Sequence, residues 1–261
     1  MAELATIARV RADYVNAEGA RILVHRWGDG SGQRVLFWHG GGGGSGELPE
    51  LAPFLAEAGY SVYAPDAPGY GGSPALDASR YRPSLLAELA AALIDGLGIA
   101  PVTWIGSSWG ANVGIHTAAL FPTRIRALAL LDGGYMDVSD DPDYDPALGL
   151  DARTAELRTR VEQGESWDAS PEVIALAMQA ADREPCSALL PALSSTGVPV
   201  LLVRATQPPE YESIRARGVE RFQANLPKAE VIALPGSGHH LLGEAPAEVE
   251  RILLEWLPRN A

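Results

Sequence analysis

Six runs of consecutive apolar residues constrain the fold of this 261-residue chain more than any other feature of its sequence. Strands that are apolar on both faces are typical of the interior of a parallel sheet. The runs cover 35–38, 61–64, 102–105, 127–131, 198–203 and 230–234, and helical patterns between them cover 48–58, 84–96, 111–121 and 211–224. This alternation predicts an α/β class fold with a doubly wound, mostly parallel sheet.

Two parts of the chain depart from the alternation. Near the N-terminus, the runs 21–27 and 34–38 are separated by Gly-Asp-Gly-Ser-Gly, which predicts an N-terminal β-hairpin. Residues 136–195 lack a convincing strand pattern and contain helical ones. Structureless loops of that length are uncommon, so we interpret 136–195 as a small helical lid inserted into a core formed by 1–135 and 196–261.

Composition excludes several classes of partner. The net charge is −13 and no basic cluster interrupts the acidic excess, so neither nucleic acid nor an anionic membrane is an expected partner. No segment resembles a signal-peptide core or a membrane span, which predicts a cytoplasmic protein. The lone Cys186 and the sequential His239 and His240 match no metal-binding pattern, and no dinucleotide fingerprint is present. We therefore expect neither a metal nor a cofactor.

A serine between two glycines follows the third apolar run directly. In Gly106-Ser107-Ser108-Trp109-Gly110, only Ser108 is central to the pattern G-x-S-x-G. A strand enters this turn and a small-residue helix leaves it, which is the setting of a nucleophile held on a tight strand-to-helix turn. The alternative is a glycine-rich turn with an N-capping serine. We favour Ser108 as a nucleophile.

Two histidines follow the last apolar run, in Leu234-Pro-Gly-Ser-Gly-His239-His240. The carboxyl ends of parallel strands meet at one edge of a sheet, so this loop should lie near Ser108. A serine hydroxyl needs such a base to become an effective nucleophile. Either His239 or His240 could supply it.

Four motifs together resemble one known family over nearly the whole chain. They are His39-Gly40 after a strand, the turn Asp66-x-Pro-Gly-x-Gly-x-Ser73, the serine turn 106–110, and Gly238-His239 followed by Glu244 and Pro246. In this order they resemble the α/β-hydrolase fold superfamily, in its serine hydrolase branch.

The resemblance implies a role for several residues. It implies that His239 rather than His240 is the base, and that the N–H groups of Trp109 and Gly41 form the oxyanion hole, with Gly40 and Gly42 as near alternatives. A serine at position 108 argues against the dehalogenase and epoxide-hydrolase branches, which use aspartate there. The turn at Asp66 is expected to be structural.

The acid that orients the histidine has two candidates. The family commonly places it after the penultimate strand, but here that position falls near Pro208, and Glu210 is the nearest carboxylate. Asp132 lies at the end of the strand after the serine turn, from which some branches of the superfamily take their acid. We favour Asp132 and keep Glu210 as the alternative.

These residues predict a serine hydrolase that cleaves a carboxylic ester or lactone through an acyl-enzyme intermediate. The expected substrate is a small, largely apolar molecule, and the expected state is a monomer or homodimer. Alternatives with the same triad are a C–C bond hydrolase, an acyltransferase and a thioesterase. A non-catalytic ligand-binding member of the fold is the alternative from another class.

Overall fold

The computed structural model describes residues 11–260, and within them eight strands form one sheet. The strands are β1 Arg11–Ala17, β2 Ala20–Trp27, β3 Arg34–Trp38, β4 Ser61–Pro65, β5 Val102–Ser107, β6 Ile125–Leu131, β7 Val200–Arg204 and β8 Glu230–Ala233. Their order is β1-β2-β4-β3-β5-β6-β7-β8. β3 to β8 run parallel, and β1 and β2 join antiparallel beside β4. The predicted doubly wound, mostly parallel sheet is confirmed.

Helices cover both faces of the sheet. They are α1 Leu51–Glu57, α2 Pro83–Leu97, α3 Trp109–Leu120, α4 Leu150–Glu162, α5 Pro171–Arg183, α6 Leu190–Thr196, α7 Glu212–Asn225, α8 Leu241–Glu244 and α9 Pro246–Asn260. Buried residues of α2, α3, α6 and α7 form one core with the sheet, and those of α1 and α9 form the other. Among the described helices, none has the length and apolar character needed to cross a membrane.

The N-terminal hairpin is present, but its strands are not the pair that the glycine-rich segment suggests. β1 pairs with β2, whereas β2 pairs on its other side with β4 and not with β3. The strand assignments at 21–27 and 34–38 are right and their pairing is wrong. The reason is burial: Val35 and Leu36 are fully buried, so β3 takes parallel neighbours on both sides.

The register of the central strands brings three chain segments to one edge of the sheet. Ser107 at the end of β5 lies opposite Leu131 of β6, and Leu131 lies opposite Val203 of β7. Val203 in turn lies opposite Ile232 of β8. The segments that follow β5, β6 and β8 therefore leave the sheet at a common carboxyl edge.

Residues 136–195 carry α4, α5 and all but the last residue of α6. Helix α4 packs on α5, and α6 packs against α3. Between α4 and α5 the chain passes the glycine-rich loop after β3: the Asp168 N–H donates to the Gly42 carbonyl at 3.0 Å, and the Gly71 N–H donates to the Asp168 carbonyl at 2.8 Å. The lid role of this segment stays a prediction.

Two glycines allow α3 to begin close against the sheet. A Cβ atom added at Gly110 would lie 2.1 Å from the Trp38 carbonyl oxygen, and one at Gly106 would lie 2.4 Å from the Gly110 carbonyl oxygen. Both obstacles are backbone atoms, which cannot rotate away as a side chain can. The turn that carries Ser108 therefore depends on small residues on both sides.

We expect Gly110→Ala to lower the free energy of unfolding by about 3 kcal/mol, because the added methyl group overpacks a rigid site. Gly96→Ala is the matched control, since its Cβ would meet nothing nearer than Val15 Cγ1 at 3.8 Å. The free energy of unfolding of that control should rise by up to about 1 kcal/mol, because alanine has a higher helix propensity than glycine. Urea unfolding midpoints measure both, and equal midpoints for the two variants would contradict the packing argument.

Candidate active site

Ser108 lies on a sharp turn between β5 and α3. Its backbone has φ 49° and ψ −112°, and a positive φ is uncommon for a residue with a side chain. Its N–H donates to the carbonyl of Leu131 at 2.8 Å, which ties the turn to the end of β6. Strained backbone of this kind is found at functional sites, where the surrounding structure holds it in place.

The loop after β8 brings His239 between Ser108 and Asp132. The distance from Ser108 Oγ to His239 Nε2 is 2.8 Å, and that from His239 Nδ1 to Asp132 Oδ2 is 2.7 Å. An ionised carboxylate only accepts, so Nδ1 carries the proton and Nε2 is free to accept the serine O–H. The side chain of His239 is 50% exposed, and its hydrogen bond to Ser108 lies at an exposed position.

Asp132 is held from several directions. It follows β6 with φ 44°, and its N–H donates to the carbonyl of Val203 at 2.7 Å. Its Oδ1 atom accepts the N–H of Ala205 and the O–H of Tyr135, both at 2.9 Å. These contacts leave Oδ2 for His239, so the carboxylate presents one fixed oxygen to the ring.

The electrostatics of the pair favour an ionised acid and a basic imidazole. Burial opposes ionisation of Asp132, but the hydrogen bonds from His239, Ala205 and Tyr135 hold its pKa below the ordinary value. The hydrogen bond to Asp132 is the main cause that raises the pKa of His239, against the opposing effect of burial. The imidazolium that a proton transfer would create is therefore stabilised.

The other candidates lie away from this constellation. Glu210 is exposed in the short turn Pro209–Tyr211, and no hydrogen bond within the described residues joins it to His239. The ring of His240 is exposed, with its centroid 5.6 Å from that of His239, and the described contacts include none from it to Ser108 or Asp132. The structure thus brings together Ser108, His239 and Asp132.

The glycine-rich loop after β3 lies beside the start of α3. A Cβ atom at Gly41 would be 3.7 Å from Trp109 Cβ, so the two backbones are adjacent. Trp109 is the first residue of α3, and such N–H groups have no partner within the helix. The Gly41 N–H donates to no protein acceptor in the described part of the chain. Both donors are available near Ser108.

Side chains from neighbouring turns fix this loop. His39 Nε2 accepts the Ala67 N–H at 2.9 Å, so Nδ1 donates to the Gly40 carbonyl at 2.8 Å, and burial lowers the pKa of this histidine. The Tyr70 hydroxyl donates to the Gly41 carbonyl at 3.1 Å. The Asp66 carboxylate accepts backbone N–H groups of Ser45 and Gly72, at 2.8 Å each, which is the structural role expected for it.

Two residues at the site were missed from the sequence. Tyr135 is buried and donates to Asp132, and Glu47 turns its carboxylate toward the Gly40 N–H. Their signals are weak: Tyr135 follows Asp-Gly-Gly, and Glu47 is the first acid after the glycine run. Among the described residues, no cluster of histidine, cysteine or acidic side chains could hold a metal ion.

A family model described as alpha/beta hydrolase fold matches residues 33–163, about half of the chain. The chain belongs to the α/β hydrolase fold family. The matched residues include Ser108, Gly41 and Asp132, and His239 lies beyond them. The eight-stranded sheet within residues 11–260 agrees with this assignment.

Two curated proteins are similar to part of the chain. It is 31% identical over 144 residues, 53% of this chain and 50% of the other, to a 2-hydroxy-6-oxo-6-phenylhexa-2,4-dienoate hydrolase of Burkholderia cepacia. It is 35% identical over 125 residues, 45% of this chain and 37% of the other, to epoxide hydrolase A of Mycobacterium tuberculosis. The matches thus span half or less of the length of these curated relatives.

The fold similarity extends further than the sequence similarity. A structure reported with carboxylesterases of the thaumarchaeon Nitrososphaera gargenis superposes with a TM-score of 0.76, covering 94% of this chain and 98% of the other, at 18% identity. Identity this low shows a shared fold and leaves the chemistry to the site.

Proposed function

We propose that this protein is a serine hydrolase that cleaves a carboxylic ester or lactone, with Ser108 as nucleophile, His239 as base and Asp132 as the acid that orients it. The observation that carries the proposal is the pair of distances that joins the three side chains, 2.8 Å and 2.7 Å. A hydroxyl, an imidazole and a carboxylate in this order are the parts of an acyl-transfer triad.

In the first half of the reaction, His239 Nε2 takes the Ser108 proton as Oγ attacks the carbonyl carbon. The carbonyl oxygen gains negative charge, which the N–H groups of Gly41 and Trp109 stabilise together with the N-terminus of α3. The protonated His239 then gives its proton to the leaving alkoxide. The products of this half are the alcohol and an ester of Ser108.

In the second half, water replaces the alcohol. His239 accepts a proton from water, the resulting hydroxide attacks the acyl carbon, and the same N–H groups hold the second oxyanion. The proton returns to Ser108 as the acid leaves. His239 is 50% exposed, so water reaches the ring without a change of the loop.

The serine favours carbonyl chemistry over the epoxide opening named for one relative. In that branch of the superfamily the nucleophile is an aspartate, which opens the epoxide through its carboxylate. Position 108 holds a hydroxyl paired with a base, which is suited to addition to a carbonyl carbon. The similarity to an epoxide hydrolase therefore supports the fold and the turn rather than that substrate.

A second candidate is hydrolysis of a carbon–carbon bond beside a ketone. The observation that favours it is the match of 144 residues to the dienoate hydrolase of Burkholderia cepacia. The triad could serve that reaction too, because a ketone also forms an oxyanion when attacked. A panel of p-nitrophenyl esters, lactones and 6-oxo-dienoates separates the two, since the rates should differ by orders of magnitude.

The segment 136–195 is proposed as the lid over this site. Its Trp167 and Asp168 lie against Gly42 and Gly44 of the glycine-rich loop, next to the proposed oxyanion donors. A largely apolar ester or lactone is the proposed substrate. The high negative charge of the chain disfavours a polyanionic one.

Covalent labelling tests the nucleophile. A fluorophosphonate probe should form an adduct at Ser108, located by tandem mass spectrometry of the digested protein. Ser108→Ala should carry no adduct. Ser107→Ala is the matched control and should be labelled like the unmodified chain, because the contacts described for residues 11–260 join Ser108, and not Ser107, to His239. Absence of an adduct in folded protein, or an adduct at Ser107, contradicts the proposal.

A further inference from the structure

Glu47 folds back beneath the glycine-rich loop. It ends the short turn Ser45–Glu47, and its Oε2 and Oε1 atoms lie 3.1 Å and 3.3 Å from the Gly40 nitrogen, whose N–H they accept. A Cβ atom at Gly43 would lie 1.7 Å from Oε1, so the carboxylate fills the space that a side chain there would need. The loop is thus wrapped around this one carboxyl group.

The same carboxyl group lies beside the nucleophile. A Cβ atom at Gly40 would be 3.3 Å from Glu47 Oε1 and 3.6 Å from Ser108 Cβ, so Gly40 separates the two side chains. Gly41, the proposed oxyanion donor, is the next residue along the chain. Any charge on Glu47 therefore lies close to the oxygen that becomes negative during attack on the substrate.

The surroundings of Glu47 raise its pKa to near neutral pH. Burial raises its pKa to about 7, an effect that Asp168 strengthens, while the Gly40 N–H and His239 oppose it. Glu47 in turn adds to the raised pKa of His239, for which Asp132 is the main cause. Ionisable groups from other elements and from the same loop surround this turn: Asp66, Tyr70, Asp168, His239, Glu50 and Glu250.

We propose that Glu47 is a positioning residue of the glycine-rich loop after β3: by accepting the Gly40 N–H, it holds the Gly41 N–H so that it faces the oxyanion. The charge of Glu47 governs the rate of attack by Ser108. This proposal rests on the serine mechanism proposed above. The neutral carboxyl holds the loop without opposing the oxyanion. The ionised carboxylate holds the loop equally well but places a like charge beside the developing one.

The test measures the rate of fluorophosphonate labelling of Ser108 from about pH 5 to about pH 9. It compares the unmodified chain with three variants, Glu47→Gln, Glu47→Ala and Glu50→Gln. In the unmodified chain the rate should rise as His239 loses its proton, and because burial raises the pKa of Glu47 to about 7, the plateau near pH 9 should be reached with Glu47 ionised. Glu47→Gln keeps an acceptor for the Gly40 N–H and removes the charge. Its plateau near pH 9 should lie about threefold above that of the unmodified chain. Its rise should also begin at lower pH, because the charge of Glu47 no longer raises the pKa of His239.

Glu47→Ala removes the acceptor as well as the charge. Its labelling should be about tenfold slower across the whole range, because the loop loses the hydrogen bond that positions it. Glu50→Gln is the matched control: it removes an exposed negative charge nearby and should leave the pH profile within about twofold. Circular dichroism of each variant verifies that it is folded.

The outcomes separate this proposal from the one on which it rests. If the unmodified chain is labelled at Ser108 but Glu47→Gln is labelled at the same rate near pH 9, the role of the charge is wrong. If Glu47→Ala is folded and labelled as fast as the unmodified chain, the positioning role is wrong. If the unmodified chain is not labelled at all, both proposals fail.

Discussion

Replacing His239 by alanine is expected to lower kcat for hydrolysis of a p-nitrophenyl ester about 10⁶-fold, as loss of the base does in the serine protease subtilisin. The physical reason is that Ser108 Oγ then has no acceptor for its proton, and a neutral hydroxyl is a weak nucleophile. Steady-state kinetics with active-site titration of the unmodified chain gives the reference. KM should change far less than kcat, because the lost interaction belongs to the transition state.

His240→Ala is the matched control for this variant. Its ring lies next to that of His239 but makes no described contact to Ser108 or Asp132, so kcat should stay within about twofold. The reverse result, with loss of activity in His240→Ala and retention in His239→Ala, would show that the loop adopts another arrangement during turnover. Both variants remove one imidazole ring, at adjacent positions of the same loop, so a difference in kcat reports on which ring acts as the base.

The strand and helix alternation could be predicted because burial leaves a local signature. The apolar runs at 35–38 and 102–105 correspond to β3 and β5, which are buried on both faces. The run 230–234 gave the same signal, yet β8 is an edge strand and only partly buried. A run of apolar residues indicates that a strand is packed, but not how many neighbours it has.

Pairing could not be read in the same way. The segment 28–32 resembles a hairpin turn, yet β2 pairs with β1 and with β4, which comes later in the chain, and not with β3. Parallel and crossover pairings depend on contacts between distant residues, and local turn chemistry contains no information about them. The hairpin that does form turns at Glu18 and Gly19, where φ is positive at both residues.

The residues of the candidate site also divide into those that a local motif predicts and those that depend on contacts between distant segments. Ser108 and His239 stand in local motifs, and the sheet register then brings the loops that carry them to one edge. The choice between Asp132 and Glu210 depends on the path of the chain after β7, which no local spacing fixes. Tyr135 and Glu47 act through contacts to Asp132 and Gly40, and a single sequence gives no sign of either hydrogen bond.

Asp132→Asn is expected to lower kcat about 10⁴-fold, the size of effect seen when the triad acid of a serine protease becomes an amide. The pKa of His239 should fall at the same time, because the hydrogen bond to Asp132 is the main cause that raises it. The ascending limb of the residual pH–rate profile should therefore move to lower pH. Kinetics of a p-nitrophenyl ester across the pH range measures both changes.

The contacts of Asp132 explain why Asp132→Asn should change the tautomer of His239 as well as remove a negative charge. Ala205 and Tyr135 both donate to Oδ1, so the asparagine must place its oxygen there and turn its NH₂ group toward His239. Nδ1 of the ring then has to accept, which moves the ring proton to Nε2, where it blocks acceptance of the serine O–H.

Glu210 lies in an exposed turn, and no described hydrogen bond joins it to His239. Glu210→Gln should therefore leave kcat within about twofold of the unmodified chain. If Glu210→Gln loses activity while Asp132→Asn keeps it, the acid is Glu210, and the short distance from Asp132 to the ring belongs to an inactive arrangement.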